Sequence, residues 1–185
     1  NDPIILSWSE RLMAGYRYDT VIIGGGIGGL MAAYRLRKKE PNMRIAVTER
    51  GNTLENRKCP AGKNNTCAHC KICSITSGFA GAGAFSDGKF NLGTAYGGTL
   101  GEQLGDDTAN KYIAEVDEVL NEYCTSGIPN VYKTNDDLKL KCIQNNLRLL
   151  DMNVKHLGTD NNYLTMQNLI HAIAASGTDL YSFYD

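Results

Sequence analysis

Four cysteines and a histidine fall within the sixteen residues Lys58 to Cys73, KCPAGKNNTCAHCKIC. Cys67, Cys70 and Cys73 stand at C-x2-C-x2-C spacing, and Cys59 lies eight residues upstream beside Pro60. Thiolates three residues apart can converge on one metal ion, with a fourth ligand returning across the intervening loop. Tetrahedral zinc accepts four thiolates, or three with an imidazole such as that of His69. A four-iron iron–sulfur cluster also takes four, although the run lacks the C-x3-C-P ending of the bacterial ferredoxin pattern. The same spacing contains two overlapping C-x-x-C pairs able to cycle between dithiol and disulfide, and a loop whose thiols have no function fits it as well. Cys59, Cys67, Cys70 and Cys73 are therefore candidate ligands for zinc or an iron–sulfur cluster, with a redox pair and a plain loop as open alternatives.

A second constellation lies upstream. Tyr18 to Ile23, YDTVII, is a β-branched run that ends at GGGIGG and is followed by LMAAYRLRKKE, mostly good helix formers. A turn at PNM leads into RIAVTE, a second apolar strand closing on Glu49. The order strand, glycine turn, helix, strand predicts a βαβ unit. Gly24, Gly26 and Gly29 take G-x-G-x-x-G spacing, and Ala33 lies four residues beyond on the helix face that packs on the sheet. In such a unit the first glycine allows the tight turn and the second lets the backbone approach a pyrophosphate. The third permits close helix–strand packing. The pyrophosphate rests on the N–H groups and positive dipole end of the helix that starts near Gly28. Glu49, 20 residues after Gly29, is the acid expected to accept hydrogen bonds from a ribose.

After Glu49 about fifty residues follow without clear periodicity, where an NAD domain would continue with alternating helices and strands. Irregular stretches of that length are usually functional. This one contains SGFAGAGAFSDGK, in which Gly78, Gly81 and Gly83 leave backbone N–H groups able to line a ligand and Ser86, Asp87 and Lys89 follow as polar groups. An NAD(P)-dependent dehydrogenase and a non-enzymatic metal- or nucleotide-binding module are the rival readings.

The segments YDTVIIGGGIGGLMAAYRL, ERGNTLENRKCP, CAHCKICSITSGFAGAGAFSDGKFNL and HLGTD together resemble a bacterial family of uncharacterised FAD-dependent dehydrogenases, a branch of the glutathione-reductase-like flavoproteins. The resemblance runs from about Tyr18 to the end of the chain, and GAGAFSDGKFNL is its most specific part. It implies an α/β, Rossmann-like FAD-binding domain with hydride or electron transfer through the flavin. FAD would have its pyrophosphate at Gly24, Gly26 and Gly29 and its ribose at Glu49, with Gly28 and Arg50 as further cofactor-binding candidates. The flavin end would lie near Ser86, Asp87 and Lys89, with Gly81 and Gly83 as further cofactor-lining candidates. Arg57 is expected either to meet a phosphate or the flavin edge, or to be a surface arginine. Family members return late in the chain to a strand ending in an A-x-G-like turn and a Gly-Asp motif. Neither is present here, so the sequence reads as the N-terminal part of a longer flavoenzyme, inactive alone and with an incomplete FAD domain. The expected organisation is an extension over residues 1–17, the βαβ unit with its loops over 18–105, and a helical segment over 106–185.

Composition narrows the partners. The 185 residues carry 19 Lys plus Arg against 20 Asp plus Glu, which offers no electrostatic attraction for nucleic acid or an anionic membrane. No apolar run approaches the roughly 20 residues of a membrane span, and no signal-peptide pattern begins the chain. Six cysteines without a secretion signal favour a reducing, cytoplasmic setting. The partner is expected to be a small-molecule substrate or electron carrier.

The remaining segments read as scaffold. Ile113, Val116, Leu120 and Tyr123 mark an amphipathic helix, with a cap among Asp106 to Thr108 and Glu115, Glu118 and Glu122 on its solvated face. DDLKLKCIQ reads as a short helix, LRLLDMNVKHL as a strand and NYLTMQNLIHAIAASG as a helix capped by Thr159 or Asp160, while DLYSFYD begins another strand. Cys124 and Cys142 read as core residues, and His156 as structural because nothing in the sequence pairs it with an acid.

Overall fold

The computed structural model describes residue 15, residues 17–61 and residues 66–184. The expected N-terminal extension lies outside the described residues apart from Gly15 and Arg17. The chain divides into two units, one built from residues 1–85 and 166–185 and the other from residues 86–165.

The first unit contains the βαβ element. Strand β1 (Thr20–Ile23) leads through the glycine turn into helix α1 (Ile27–Lys39) and strand β2 (Ile45–Thr48). β1 and β2 pair in parallel, with Thr20 opposite Ile45 and Ile23 opposite Thr48. Gly24 adopts φ +101°, which side chains disfavour. A Cβ on Gly29 would lie 2.0 Å from the Gly24 carbonyl oxygen, so only glycine lets α1 start this close to the turn. Leu30, Ala33 and Tyr34 form the buried stripe of α1, and Ala33 is fully enclosed, as its place in the fingerprint requires.

A third parallel strand, β6 (Asp179–Tyr181), pairs with the other side of β2, giving the order β1-β2-β6. β2 is thus the central strand, and all four of its residues are buried. This explains why IAVT reads as a continuous apolar run without alternation. On β1 alternate residues are exposed, Val21 at 45% and Ile23 at 91%. Tyr18 fastens the start of β1 to β6: its hydroxyl donates to Asp179 Oδ2 at 2.7 Å and pairs with the Tyr181 hydroxyl. Burial and these two partners raise the Tyr18 pKa well above the ordinary phenol value. Beside it, Asp19 accepts from the Arg44 backbone N–H and from both Nε and an Nη of its guanidinium.

The second unit is organised by an antiparallel sheet that periodicity did not show. Strands β3 (Lys89–Asn91), β4 (Val131–Lys133) and β5 (Asn153–His156) take the order β3-β5-β4. Each is three or four residues long, too short to leave an alternation pattern. The segment expected as one strand over LRLLDMNVKHL is strand only from Asn153. The short helix α2 (Leu100–Leu104) precedes α3 (Asp106–Tyr123). Gly105 occupies the N-cap of α3 with no side-chain cap bond, so the expected cap by Asp106 to Thr108 is replaced. Those aspartates lie in the first turn, where they complement the dipole. Helix α4 (Asp136–Gln144) is capped by Asn135, whose side chain accepts from the Leu138 N–H at 2.9 Å. Helix α5 (Thr159–Ala175) begins in the second unit, ends in the first and leads into β6.

Lys155 on β5 is 5% exposed. Its ammonium donates to both Asp117 oxygens, at 2.8 and 2.6 Å, and to Asn121 Oδ1 at 3.1 Å. All three ammonium donors are thereby used, which is what a buried lysine needs.

Asp117→Ala should unfold at lower urea concentration, with a loss of about 3 kcal/mol, because it leaves a buried ammonium without its counter-charge. Lys155→Met should cost less. The exposed Asp19 carboxyl is lowered from the ordinary 3.8 to about 2, mainly by the hydrogen bonds from the Arg44 guanidinium. Its contribution to stability is therefore complete above the unfolded value and lost as pH falls toward about 2. Denaturation midpoints between about pH 5 and pH 2 should fall more steeply for the wild type than for Asp19→Asn.

Candidate functional site

The carboxyl ends of β1 and β2 open onto a cleft in the first unit. Its volume is about 390 Å³, within the roughly 300–1,000 Å³ of small-molecule sites. Gly24, Gly26, Glu49, Arg50 and Gly81 all line it, so five predicted site residues from three separate segments meet there. Gly26 is the N-cap of α1. No side chain caps this end of the helix, and its first turn carries no acidic residue. The positive end of the helix dipole is left uncompensated, the condition that suits a phosphate group. A Cβ on Gly26 or Gly28 would meet nothing within 4 Å, so the backbone beside both is open to a ligand. Gly28 and Gly29 belong to the first turn of α1, and neither lines the cleft.

Glu49 is 7% exposed. Its Oε2 accepts the Gly25 N–H and its Oε1 accepts those of Gly51 and Gly78, each at 2.8 Å. Three turns, after β1, after β2 and in the glycine-rich loop, converge on this one carboxylate. A carboxylate has about four acceptor sites, and these three bonds leave capacity on Oε2 for a ribose hydroxyl. Sequence reasoning placed this acid at the end of the second strand and missed its role as a hub.

Arg57 corrects the surface reading of the sequence. It is not a surface arginine, since it is 5% exposed. Four of its hydrogen bonds go to protein carbonyls. Nε donates to Ser74 O at 2.9 Å, one terminal nitrogen to Phe79 O and Gly81 O at 2.8 Å, and the other to Ile75 O at 2.7 Å. The guanidinium also stacks over the Phe85 ring, 4.6 Å from its centroid. Arg57 thus ties residues 74–81 into the wall of the cleft, to which Thr76, Ser77 and Gly78 contribute. Gly78 has φ +123°, and a Cβ there would lie 2.4 Å from Arg57 Cδ.

Thr48, Thr76, Ser77 and Tyr184 line the cleft without having been singled out in the sequence. Tyr184 arrives because its N–H donates to Glu49 O at 2.9 Å, while the Phe183 N–H donates to Gly51 O at 3.0 Å. Only β6 pairing brings this segment there, and no local signal announces it. Gly83 lies in a 3-10 turn over Ala82–Phe85.

Ser86, Asp87 and Lys89 belong to the second unit. Asp87 Oδ2 pairs with Lys89 Nζ at 2.7 Å, which holds its carboxyl below the ordinary value. His156, expected to lack an acid, stands 3.8 Å from the same oxygen. The β3–β5 register places Lys89 opposite His156, and Asp87 O accepts the Gly158 N–H. The SDGK and HLGT segments are thereby joined across about seventy residues.

Cys59, Cys67 and Cys70 are exposed, Cys73 is half-exposed, and all four are free thiols. Among the described residues no group of three or more His, Cys, Asp or Glu is placed to hold a metal ion. The thiols do not fit a zinc or iron–sulfur site here: Cys67 Sγ instead accepts the His69 N–H at 3.4 Å.

A parallel βαβ sheet with an uncapped glycine turn and an acid at the end of its second strand defines a Rossmann-type dinucleotide-binding domain. The chain belongs to the pyridine nucleotide-disulphide oxidoreductase family, whose sequence profile matches residues 18–130. Among curated proteins none matches it. Solved structures with a similar chain course include Thermovibrio ammonificans THI4, at 16% identity and TM-score 0.42, covering 95% of this chain and 42% of that one. The 3-ketosteroid-delta4-(5alpha)-dehydrogenase of Rhodococcus jostii RHA1 aligns at 15% identity and TM-score 0.49, over 91% and 38% of the two chains. Glycine oxidase from Geobacillus kaustophilus aligns at 16% identity and TM-score 0.47, over 91% and 47%. The chain spans less than half the length of each of these proteins.

Arg57→Lys should lower stability by about 2 kcal/mol or more, read from chemical denaturation. A point ammonium cannot serve carbonyls placed around a planar fork, and those left without a donor carry a desolvation cost.

Proposed function

We propose that this chain is the FAD-binding part of a flavin-dependent oxidoreductase, a dehydrogenase of the glutathione-reductase-like type. The observation that carries the reading is the convergence of Gly24, Gly26 and Glu49 on one cleft beside the uncapped start of α1. In this reading the backbone at Gly24, Gly26, Gly28 and Gly29 receives the pyrophosphate. Glu49 accepts a ribose hydroxyl, and Arg50 adds positive charge at the rim. Gly81 and Gly83 present backbone to the cofactor, and Ser86, Asp87 and Lys89 are the polar groups assigned to its flavin end. Arg57 acts through the wall it holds. When bound, the flavin ring supplies hydride or electron transfer, while the protein supplies orientation and electrostatics.

The cleft is scaled for part of a dinucleotide, which agrees with a piece of a larger enzyme. Among the described residues no helix is long and apolar enough to cross a membrane, and we assign the protein to the cytoplasm on its free thiols. Its partner in the reaction is a small-molecule substrate or electron carrier. The resemblance to the uncharacterised bacterial FAD-dependent dehydrogenases supports flavin over a nicotinamide cofactor held alone.

The purified protein, in its longest natural form, should show flavin absorption near ~450 nm and release FAD on denaturation. A colourless preparation that binds NAD with no flavin would overturn this reading. Glu49→Gln should lower FAD occupancy at least about tenfold, since the amide nitrogen cannot accept the backbone N–H groups or a ribose hydroxyl.

A further inference from the structure

In the second unit, the turn that ends α4 is fixed by its own backbone. The Leu147 N–H donates to Cys142 O at 2.8 Å and the Asn146 N–H to Ile143 O at 3.1 Å, with Asn146 at φ +56°. This is the Schellman arrangement of a helix end, in which the residue after the left-handed position commonly packs an apolar side chain back onto the helix. Leu147 is instead 62% exposed. The stretch that follows is pinned as firmly. The Thr134 hydroxyl donates to Leu150 O at 3.0 Å and accepts the Met152 N–H at 2.7 Å, and Asp151 pairs with Lys139 of α4.

Residues of α4 and of this stretch line a cleft of about 510 Å³, a size that suits a small molecule. Ile143, Leu147, Leu149 and Leu150 are its apolar lining, and all but Leu149 are exposed. Exposed apolar side chains gathered on a pinned backbone mark a surface that meets a ligand. The polar lining sets the charge of that ligand. Lys139 and Asp151 neutralise each other. Arg148 also lines the cleft, and among the described residues its guanidinium has no hydrogen-bond or ion-pair partner. The Asn146 carboxamide, which lines the cleft as well, is likewise unengaged. One uncompensated cation is left beside an aliphatic wall, and the planar fork of a guanidinium matches a carboxylate with two parallel bonds.

We infer that this cleft binds a small carboxylate with an extended apolar body, of the medium-chain fatty acid class. The carboxylate pairs with Arg148, and the Asn146 amide is a further donor to it. The aliphatic chain covers Ile143, Leu147, Leu149 and Leu150, which removes exposed apolar surface from water. No flavin takes part, so binding here stands or falls independently of the cofactor reading.

The test titrates the purified protein, in its longest natural form, with decanoate, octanoate and decyltrimethylammonium, followed by calorimetry. Decanoate should bind saturably, and decyltrimethylammonium, with the same tail and the opposite charge, at least about tenfold more weakly. Octanoate should bind about tenfold more weakly than decanoate, because its chain is shorter by two methylenes. Arg148→Gln should weaken decanoate at least about tenfold with an unchanged denaturation midpoint, since the side chain it replaces is exposed and unpaired. Arg148→Glu should reverse the preference between the two ions. Leu147→Asn should weaken decanoate about fivefold. Absence of saturable decanoate binding, equal binding of the two ions, an Arg148→Gln variant that binds as the wild type does, or self-association of the chain that Leu147→Asn abolishes would each overturn the inference.

Discussion

The first unit depends on one buried anion. The Glu49 carboxylate takes backbone N–H groups from Gly25, Gly51 and Gly78, and each belongs to a different turn. Those turns have no regular hydrogen-bond ladder of their own, so without a common acceptor three backbone donors would be buried unpaired. Hydrogen bonds to an ionised acceptor are shorter and roughly twice as strong as neutral ones. The cleft therefore takes its shape from a side chain at the end of the central strand, and β2, buried along its length, fixes where that side chain lies.

A second layer is built on this anchor. Glu49 sets the position of Gly78, and Arg57 then holds the carbonyls on both sides of it, from Ser74 and Ile75 to Phe79 and Gly81. Anion and cation each satisfy backbone groups of the complementary kind along the same loop. Phe79, packed against the Gly25 turn, closes the apolar space between them. An irregular segment thereby becomes a defined wall, because its buried polar groups are paired by side chains where a helix or sheet would pair them with backbone.

The legible part of the fold was local. Gly24, Gly26, Gly29, Ala33 and Glu49 announced the βαβ unit because their roles are set within about thirty residues, where strand, turn and helix follow one another directly. The helices α3, α4 and α5 were visible for the same reason. The sheet β3-β5-β4 was not, since its strands are too short to alternate and their partners lie tens of residues away. The burial of Arg57 among carbonyls was hidden because sequence shows a charge and not its surroundings. Tyr184 and Tyr18 were silent because they depend on the β6 pairing. The thiols of Cys59, Cys67, Cys70 and Cys73 were legible as a pattern, yet metal-like spacing alone does not bring sulfurs to one point.

The two anchors near the sheet respond to acid in different ways. The Asp19 latch to Arg44 is an exposed ion pair, and a proton on Asp19 dissolves it. Arg57 keeps its charge across the whole range in which proteins fold, and the carbonyls it holds have no proton to gain. As pH falls, the register between the starts of β1 and β2 loosens while the Arg57-bound stretch of the cleft wall keeps its bonds. This order of loss makes the Arg57–carbonyl bonds of the irregular loop more acid-resistant than the latch beside the regular strands.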